Sequence, residues 1–141
     1  YFNKPNLNLF IKNYLKKFFN SPIIVQRFLK NFNKGDKRII LINGKIAGGV
    51  LRVPKTNSIK ANFHAGGKPV KTNITLKEKL ICKKIKPFLI KNGLIFVGID
   101  VIDGYLTEIN ITSPTGIQEI NRLNNSKIEK DIIDFVSKSL Q

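Results

Sequence analysis

The alternation of apolar and polar positions is clearest from Leu94 to Ile120, where the chain reads as two strands joined by a tight turn. Nearly all odd-numbered positions there are apolar, which predicts that they form the buried face of a sheet. These positions are Ile95, Val97, Ile99, Val101, Tyr105, Ile109 and Ile111. The even-numbered positions therefore form the second face of the predicted hairpin.

Three oxygen-bearing side chains, Asp100, Glu108 and Asn110, fall on even-numbered positions. They share one face if the connecting loop has an odd number of residues, because side chains change face with every residue. Residues 102–104 supply such a loop, a type I turn that Gly104 closes in the left-handed region. Two carboxylates and an amide oxygen suit a hard cation such as Mg²⁺ or Mn²⁺, which shares its coordination shell with phosphates. The alternative is a pair of edge-strand acids that face solvent.

The apolar pattern of the N-terminal half predicts one helix and three strands. Apolar residues recur at helical spacing from Leu7 to Phe18, so we expect an amphipathic helix that buries its aromatic stripe and ends before Ser21. Residues 23–29 read as a buried strand. Strands at 38–42 and 45–52 should form a hairpin about the Asn-Gly pair between them.

A second helix is predicted after a capping box formed by Thr75 and Glu78. Pro87 should kink this helix, and Gly93 should end it. Its predicted buried stripe comprises Leu76, Ile81, Ile85, Phe88 and Leu89.

A short helix should follow Gly116, and a last helix should begin after Ser126, capped with Glu129. The buried stripe of the last helix comprises Ile128, Ile132, Ile133, Val136 and Leu140. These elements predict one α+β domain whose mainly antiparallel sheet is flanked by helices.

Residues 53–69 lack periodicity and are rich in Gly, Asn and Lys. A long irregular loop in a compact domain is usually a lid or a disordered segment. Gly66 and Gly67 would let the backbone approach a phosphate closely, and Lys60 and Lys68 would add positive charge. The alternative is a solvated loop that binds nothing.

The 141-residue chain has a net charge of +16, which normally points to nucleic acid or an anionic membrane. However, only four of the 25 basic residues are arginines. The lysines are scattered, without the interleaved aromatic residues that a base-stacking platform requires. We therefore expect no specific nucleic-acid partner. No apolar run reaches about 18 residues and there is no charged-then-apolar leader, so we expect neither a membrane span nor export. The lone Cys82 fits a reducing cytoplasm.

Four motifs together resemble the bacterial glutathione synthetases, a family of ATP-grasp ligases. They are GDKR at 35–38, KANFHAGGKP at 60–69, GLIFVGIDVI at 93–102 and LTEINITSPTGIQEI at 106–120. The resemblance runs from about Ile24 to Gln141. It implies that residues 1–141 are the C-terminal half of an ATP-grasp domain, with the upstream domain and the glycine-rich phosphate loop outside this chain.

The resemblance implies an enzyme that joins γ-glutamylcysteine to glycine with ATP, through an acyl phosphate, using Mg²⁺ or Mn²⁺. It also implies a cytoplasmic homo-oligomer when the protein is complete, and a fragment that is inactive alone. The E-x-N triplet is shared with other ATP-grasp ligases, so another carboxylate-amine ligase is one alternative. A basic nucleic-acid-binding module is a second alternative from a different class.

The same resemblance assigns roles to individual residues. The metal ligands are Asp100, Glu108 and Asn110. Arg38 and Arg52 line the active site, Arg38 toward phosphate and Arg52 toward phosphate and peptide. A strict two-residue turn in the first hairpin would separate the two arginines onto opposite faces, so we expect a bulge at Gly48 and Gly49.

The implied nucleotide-binding residues are Gln26, Arg27, Phe28, Leu29, Arg38, Asn62, Gly66 and Gly67, of which the first four offer hinge backbone to adenine. The implied substrate-binding residues are Arg52, Ser113, Pro114, Thr115 and Gly116. The 53–69 segment becomes a mobile flap, in which the family often has Arg where Lys60 stands. His64 has no carboxylate partner nearby in the sequence, so we expect it to be a surface residue of the flap.

Overall fold

The computed structural model describes residues 4–18, 21–24, 26–55 and 66–140. Lys60, Asn62 and His64, which carried predictions for the flap, lie outside the described residues. Gly66 and Gly67 lie within them.

The described residues form four α-helices, a short 3-10 helix and five strands. The helices are α1 (Lys4–Lys17), the 3-10 helix (Lys30–Lys34), α2 (Leu76–Lys91), α3 (Ile117–Asn124) and α4 (Ile128–Ser139). The strands are β1 (Asp36–Ile42), β2 (Lys45–Val53), β3 (Lys68–Lys71), β4 (Phe96–Ile102) and β5 (Tyr105–Asn110). Strand β3 was not predicted, because its four residues include Pro69 and show no apolar alternation.

All five strands form one antiparallel sheet in the order β3-β2-β1-β4-β5. Helix α2 covers one face, and its Cys82 and Leu89 are buried there with Ile39, Leu41, Val97, Ile99 and Val101. Helices α3 and α4 cover the other face, where Ile120 and Ile128 are buried with Ile40, Ile42 and Val50. This architecture confirms the predicted α+β class with a mainly antiparallel sheet flanked by helices.

The β1–β2 hairpin has the predicted turn, but its bulge lies elsewhere. Asn43 and Gly44 have φ of 48° and 68°, as a two-residue type I′ turn requires. The register then shifts so that Ala47 is the extra residue, one position before the predicted Gly48. Glycine at 48 serves packing instead, since a Cβ there would lie 2.6 Å from Cγ2 of Ile120.

The predicted three-residue turn between β4 and β5 is wrong. Asp103 and Gly104, with φ of 53° and 70°, form a two-residue turn. The turn is one residue shorter than predicted, but a bulge at Thr107 adds one residue to β5. The bulge therefore puts Glu108 directly opposite Asp100. Because the bulge follows Leu106, that side chain packs against the α2 core rather than on the face of the oxygen donors.

The apolar odd positions of β5 are less buried than predicted, because β5 is an edge strand. Ile109 is 38% exposed and Tyr105 is 54% exposed. Ile111, which follows the strand, is also exposed. In contrast, Ile99 and the other central positions of β4 are buried.

The capping box that opens α2 is confirmed. The backbone N–H of Glu78 donates to Thr75 Oγ1 at 3.3 Å, and Thr75 N–H donates to Glu78 Oε2 at 2.7 Å. The helix continues through Pro87 to Lys91, and Gly93 follows in the left-handed region. The predicted stripe is wrong at Leu76 and Phe88, which are exposed. The buried apolar residues of α2 are Cys82 and Leu89, and the partly buried Ile81 and Ile85 pack against the same core.

The predicted cap of α4 is also wrong. Asn121 caps the helix, because its Oδ1 accepts from Ile128 N–H at 3.0 Å and from Ser126 Oγ at 3.1 Å, while its Nδ2 donates to Glu129. The helix buries Ile128 and packs Ile132 and Phe135 against the sheet, whereas Ile133, Val136 and Leu140 are exposed.

Two N-terminal predictions need correction. Three aromatic residues within and just after α1 stack on each other, with the ring centroid of Tyr14 at 6.2 Å from that of Phe10 and 4.5 Å from that of Phe18. Phe10 and Phe18 nevertheless stay about two-fifths exposed rather than forming core. The described residues between 23 and 29 form no strand, and Ile24 is exposed. Across the part of the chain that the structure describes, no helix is both long and apolar enough to cross a membrane.

Candidate active site

The three oxygen donors predicted from strand parity lie on one face of the sheet, at adjacent positions of β4 and β5. Glu108 pairs directly with Asp100, and Asn110 pairs with Gly98 two residues away. This is the face that α3 and α4 cover. Asp100 is only 4% exposed, whereas Glu108 is exposed. The alternative of two solvent-facing acids therefore does not describe Asp100.

Asp100 is bound by both predicted arginines. Arg38, its cross-strand neighbour on β1, donates from Nε to Oδ1 at 2.5 Å and from Nη2 to Oδ2 at 2.8 Å. Arg52 on β2 reaches the same carboxylate, with Nη2 at 2.9 Å from Oδ2. Both arginines therefore lie on the same face, as the predicted bulge required. Paired hydrogen bonds of this kind fix the plane of a guanidinium as well as its position.

A third acid, Asp36, belongs to this cluster and was missed by the sequence analysis. It lies opposite Arg52 in the β1–β2 register and accepts from Arg52 Nε at 2.6 Å and from Nη2 at 2.7 Å. A signal was present, because Asp36 stands two residues before Arg38 and so shares its face of the strand.

Asn110 links the exposed acid to the arginines. With its amide oriented to satisfy its neighbours, Nδ2 donates to Glu108 Oε1 at 2.9 Å and Oδ1 accepts from Arg38 Nη2 at 3.2 Å. These contacts form one continuous network of Arg38, Arg52, Asp100, Glu108 and Asn110. We call this network, with Asp36 included, the charged cluster.

The two acids at the centre of the charged cluster have pKa values shifted in opposite directions. Burial alone would raise the pKa of Asp100, but the hydrogen bonds from Arg38 and the charges of Arg52 and Arg38 outweigh it, so the pKa lies below its ordinary value. The pKa of Glu108 is raised, first because its carboxylate is partly removed from water although the residue as a whole is exposed, and then by the negative charge of Asp100. A cation beside Glu108 would oppose that shift.

The TSPTG segment, residues 112–116, lies directly against the charged cluster. A Cβ at Gly98 would lie 2.6 Å from Cβ of Pro114, so glycine is needed there for the segment to approach β4. Arg38 Nη1 donates to the carbonyl of Thr115 at 3.1 Å. Pro114 and Gly116 are buried, while Ser113 and Thr115 are exposed. Among the described residues, the hydroxyls of Ser113 and Thr115 have no hydrogen-bond partner.

The four residues predicted to offer hinge backbone to adenine line a cleft of about 530 Å³ with the tip of the β4–β5 hairpin. The lining residues are Gln26, Arg27, Phe28, Leu29, Lys30, Asn31, Asp103, Tyr105, Leu106 and Thr107. Asn31 Nδ2 ties the two sides together by donating to Asp103 Oδ2 at 2.9 Å. Thr107, one of these lining residues, directly precedes Glu108 of the charged cluster in the sequence.

Two of the three predicted phosphate-binding residues of the flap are described. Gly66 has φ of 80° and packs against the side chain of Lys55, since a Cβ there would lie 2.8 Å from Lys55 Nζ. Gly67 is buried just before β3, whose Pro69 pairs with Arg52. The C-terminal end of the 53–69 segment is therefore joined through β3 to the strand that carries Arg52.

The donor set fits a hard divalent cation. Among the described residues, no three His, Cys, Asp or Glu side chains are placed so that they could hold a metal ion by themselves, so a cation beside Asp100 and Glu108 would need the amide oxygen of Asn110 as a third protein ligand. Carboxylate and amide oxygens without nitrogen or sulfur are the ligands that Mg²⁺ and Mn²⁺ prefer. After desolvation, the negative charge of Asp100 is the next cause of the raised pKa of Glu108, and the opposing charges of Arg38 and Arg52 do not cancel the rise.

Comparison with known proteins gives consistent matches over most of the chain. Residues 2–125 match the family described as prokaryotic glutathione synthetase, ATP-grasp domain. A glutathione synthetase of Agrobacterium fabrum is 45% identical over 120 residues, covering 85% of this chain and 38% of the relative. Glutathione synthetases of Mesorhizobium japonicum and a Nostoc species are 50% and 48% identical, over 84% and 85% of this chain. The chain thus spans less than two-fifths of the length of these relatives, 37% to 38%.

Proposed function

This chain belongs to the prokaryotic glutathione synthetase ATP-grasp family, and on that premise we propose that it is part of an ATP-dependent ligase that joins γ-glutamylcysteine to glycine. Residues 1–141 would be the C-terminal portion of the ATP-grasp domain, with the glycine-rich phosphate loop contributed from outside the chain. The family match and identities of 45% and 50% to glutathione synthetases support this assignment.

In the proposed reaction, an oxygen of the cysteinyl carboxylate attacks the terminal phosphorus of ATP, forming an acyl phosphate and releasing ADP. The amine of glycine then attacks the acyl carbon, and phosphate leaves as the peptide bond forms. Neither step needs a nucleophile from the protein. The work of the protein in phosphoryl transfer is to position the groups and stabilise charge.

One observation carries the proposal: Arg38 joins the acids of the charged cluster to the TSPTG segment. It holds Asp100 through Nε and Nη2 and the carbonyl of Thr115 through Nη1. Arginine forks suit phosphate oxygens as well as carboxylates. We assign Arg38 to the transferred phosphoryl group and Arg52 to phosphate and peptide, with both guanidiniums pre-oriented by acids.

The substrate site is proposed to lie along residues 112–116. Ser113 and Thr115 would bind peptide or glycine through their exposed hydroxyls, and Gly116 through its backbone. Because Pro114 is packed against Gly98, this segment would present those groups from a fixed position relative to Arg38.

Glu108, Asn110 and Asp100 are proposed to hold Mg²⁺ or Mn²⁺. When bound, the cation would neutralise charge on the nucleotide phosphates. Glu108 is the most available of the three, because Asp100 already accepts hydrogen bonds from two arginines. Adenine is proposed to enter the 530 Å³ cleft beside Thr107, where Gln26 to Leu29 would offer backbone groups.

The test is product formation by the purified intact protein with ATP, Mg²⁺, γ-glutamylcysteine and glycine, followed by mass spectrometry of the product and by ADP release. Glu108→Gln should remove most turnover, whereas Asp131→Asn, which neutralises an exposed acid on α4, should leave it unchanged. Product with a different amine or carboxylate but not glutathione would favour another ATP-grasp ligase. Absence of ATP turnover with every acceptor would overturn the proposal.

The remaining expectations for the whole protein stay predictions. They are a cytoplasmic location, a homo-oligomeric state, and no specific nucleic-acid partner despite the charge of +16.

A further inference from the structure

We propose that Asp36 is a positioning residue that holds Arg52 in its working orientation and keeps it from taking over Asp100. The inference rests on the proposed function for its activity test, but its structural part stands on the contacts of Asp36 alone.

Asp36 makes the more complete contact with Arg52. Its two carboxylate oxygens accept from Nε and Nη2 at 2.6 and 2.7 Å, so they occupy one whole edge of the guanidinium. Asp100 receives a single contact from Arg52, at 2.9 Å from the same Nη2. The direction of the Arg52 plane is therefore set by Asp36, because two parallel hydrogen bonds fix a plane and one does not.

The backbone around Asp36 is also built against Arg52. Gly35 has φ of 101°, and a Cβ there would lie 2.6 Å from the carbonyl oxygen of Arg52. Only glycine allows this approach. It places Asp36 directly opposite Arg52 in the strand register, and the Arg52 side chain is 2% exposed. An arginine so deeply buried must be paired, since an uncompensated buried charge is costly.

Loss of Asp36 would redirect Arg52 rather than simply release it. The nearest carboxylate is then Asp100, which already accepts two hydrogen bonds from Arg38. A second bidentate arginine on Asp100 would compete with Arg38 and use the oxygen sites left for other ligands. Asp36 would in this way protect both the orientation of Arg52 and the availability of Asp100.

The first experiment measures the orientation of Arg52 directly in the intact protein, by NMR of arginine Nε–H groups without substrates. In Asp36→Asn we expect hydrogen exchange at Arg52 Nε–H to accelerate at least ~10-fold, because one acceptor of a charged pair is replaced by a donor amide. Exchange at Arg38 Nε–H, which donates to Asp100, should also accelerate, because the redirected Arg52 would compete with Arg38 for that carboxylate. Asp36→Glu, which keeps the carboxylate, should recover part of the protection. Unchanged exchange at Arg52 would overturn the proposal whatever the activity of the protein.

The second experiment is a double-mutant cycle on glutathione formation. Asp36→Asn should lower kcat/KM by about 10- to 100-fold, by analogy with the loss seen when a partner that orients a metal ligand is removed. In an Arg52→Met background, or in Arg52→Lys if the first variant does not fold, Asp36→Asn should have less than about a twofold further effect. Independent, multiplying effects would overturn the proposal.

The matched control is Glu78→Gln, which removes the acid of the Lys37–Glu78 ion pair, 2.8 Å long, on the opposite face of the sheet. It should lower the unfolding temperature without changing kcat/KM of the folded protein. If Asp36→Asn gave only the same pattern, its role would be structural and the proposal wrong. An inactive wild-type protein with the expected exchange at Arg52 would refute the proposed function and leave the positioning role intact.

Discussion

Neutralising Asp100 should cost the fold substantial stability, because this carboxylate is the counter-charge that Arg38 and Arg52 share. Asp100→Asn leaves the guanidiniums of Arg38 and Arg52, with side chains 6% and 2% exposed, short of a shared counter-charge. Breaking a buried ion pair by removing one partner costs about 3 to 5 kcal/mol. For a domain of this size, 1 kcal/mol corresponds to roughly 3 to 4 °C in unfolding temperature. We therefore expect the midpoint to fall by roughly 10 to 20 °C.

The pH dependence gives a second readout of the same residue. Because the pKa of folded Asp100 lies below its ordinary value of 3.8, the unfolded state binds more protons as the pH falls below that value. The stabilisation from Asp100 is therefore complete above the ordinary pKa and is lost as the pH falls through the folded pKa. Asp100→Asn should remove this component, so its loss of stability in acid should be shallower than that of the wild type.

The assay is thermal unfolding followed by circular dichroism from pH 2.5 to 7, with Glu108→Gln as the matched control. Glu108 is exposed and repelled by Asp100, so its neutralisation should not lower the midpoint. An Asp100→Asn midpoint within about 2 °C of the wild type at pH 7 would show that the arginines find other partners, and would refute the reasoning.

Three further predictions follow from the same geometry. The carboxyl pKa of Glu108, read by NMR titration, should lie above its ordinary value and fall when Mg²⁺ is added; no response to Mg²⁺ would argue against the metal assignment. Gly98→Ala should force Pro114 away from β4 at a cost of about 1 to 3 kcal/mol and raise KM for the peptide; unchanged KM would separate Pro114 from the substrate site. Saturating nucleotide and γ-glutamylcysteine should protect the chain around Gly66 and Gly67 from proteolysis, because contacts with the ligands would offset the conformational entropy that the loop loses when it is ordered. Equal cleavage with and without ligands would contradict a lid role.

Strand parity predicted that Asp100, Glu108 and Asn110 share one face of the sheet, although the turn on which that prediction relied is wrong. The two-residue turn at Asp103 and Gly104 would have reversed the face of Glu108, and the bulge at Thr107 restored it. A bulge at Ala47 likewise places Arg38 and Arg52 on the same face of the sheet. Burial of one face fixes the register, but the site of a bulge depends on which ladder hydrogen bonds are lost, and that is not encoded in local sequence.

Other features of the structure could not be predicted from the sequence, because they depend on contacts between residues that are far apart in the chain. Asn121 replaces the predicted Ser126 cap of α4, since α3 brings its side chain to the first turn of that helix. Exposure of Phe88 on α2 and Ile109 on β5 follows from how much of each element the neighbouring layer covers. Periodicity identifies an apolar face, but it cannot say how far the opposing layer extends.

The charged cluster would allow a strongly basic chain to bind the proposed cation. Only nine residues are acidic, and three of them, Asp36, Asp100 and Glu108, meet Arg38 and Arg52 at this one place. The five charges sum to −1 within a molecule of net charge +16. The field of the whole molecule would attract anionic nucleotide and peptide, while the local excess of carboxylate would accept the metal that accompanies the phosphates. Asp36 and Asp100 already form ion pairs with the arginines, so the remaining negative charge lies on Glu108. The pKa of the Glu108 carboxyl should therefore respond most strongly to the cation.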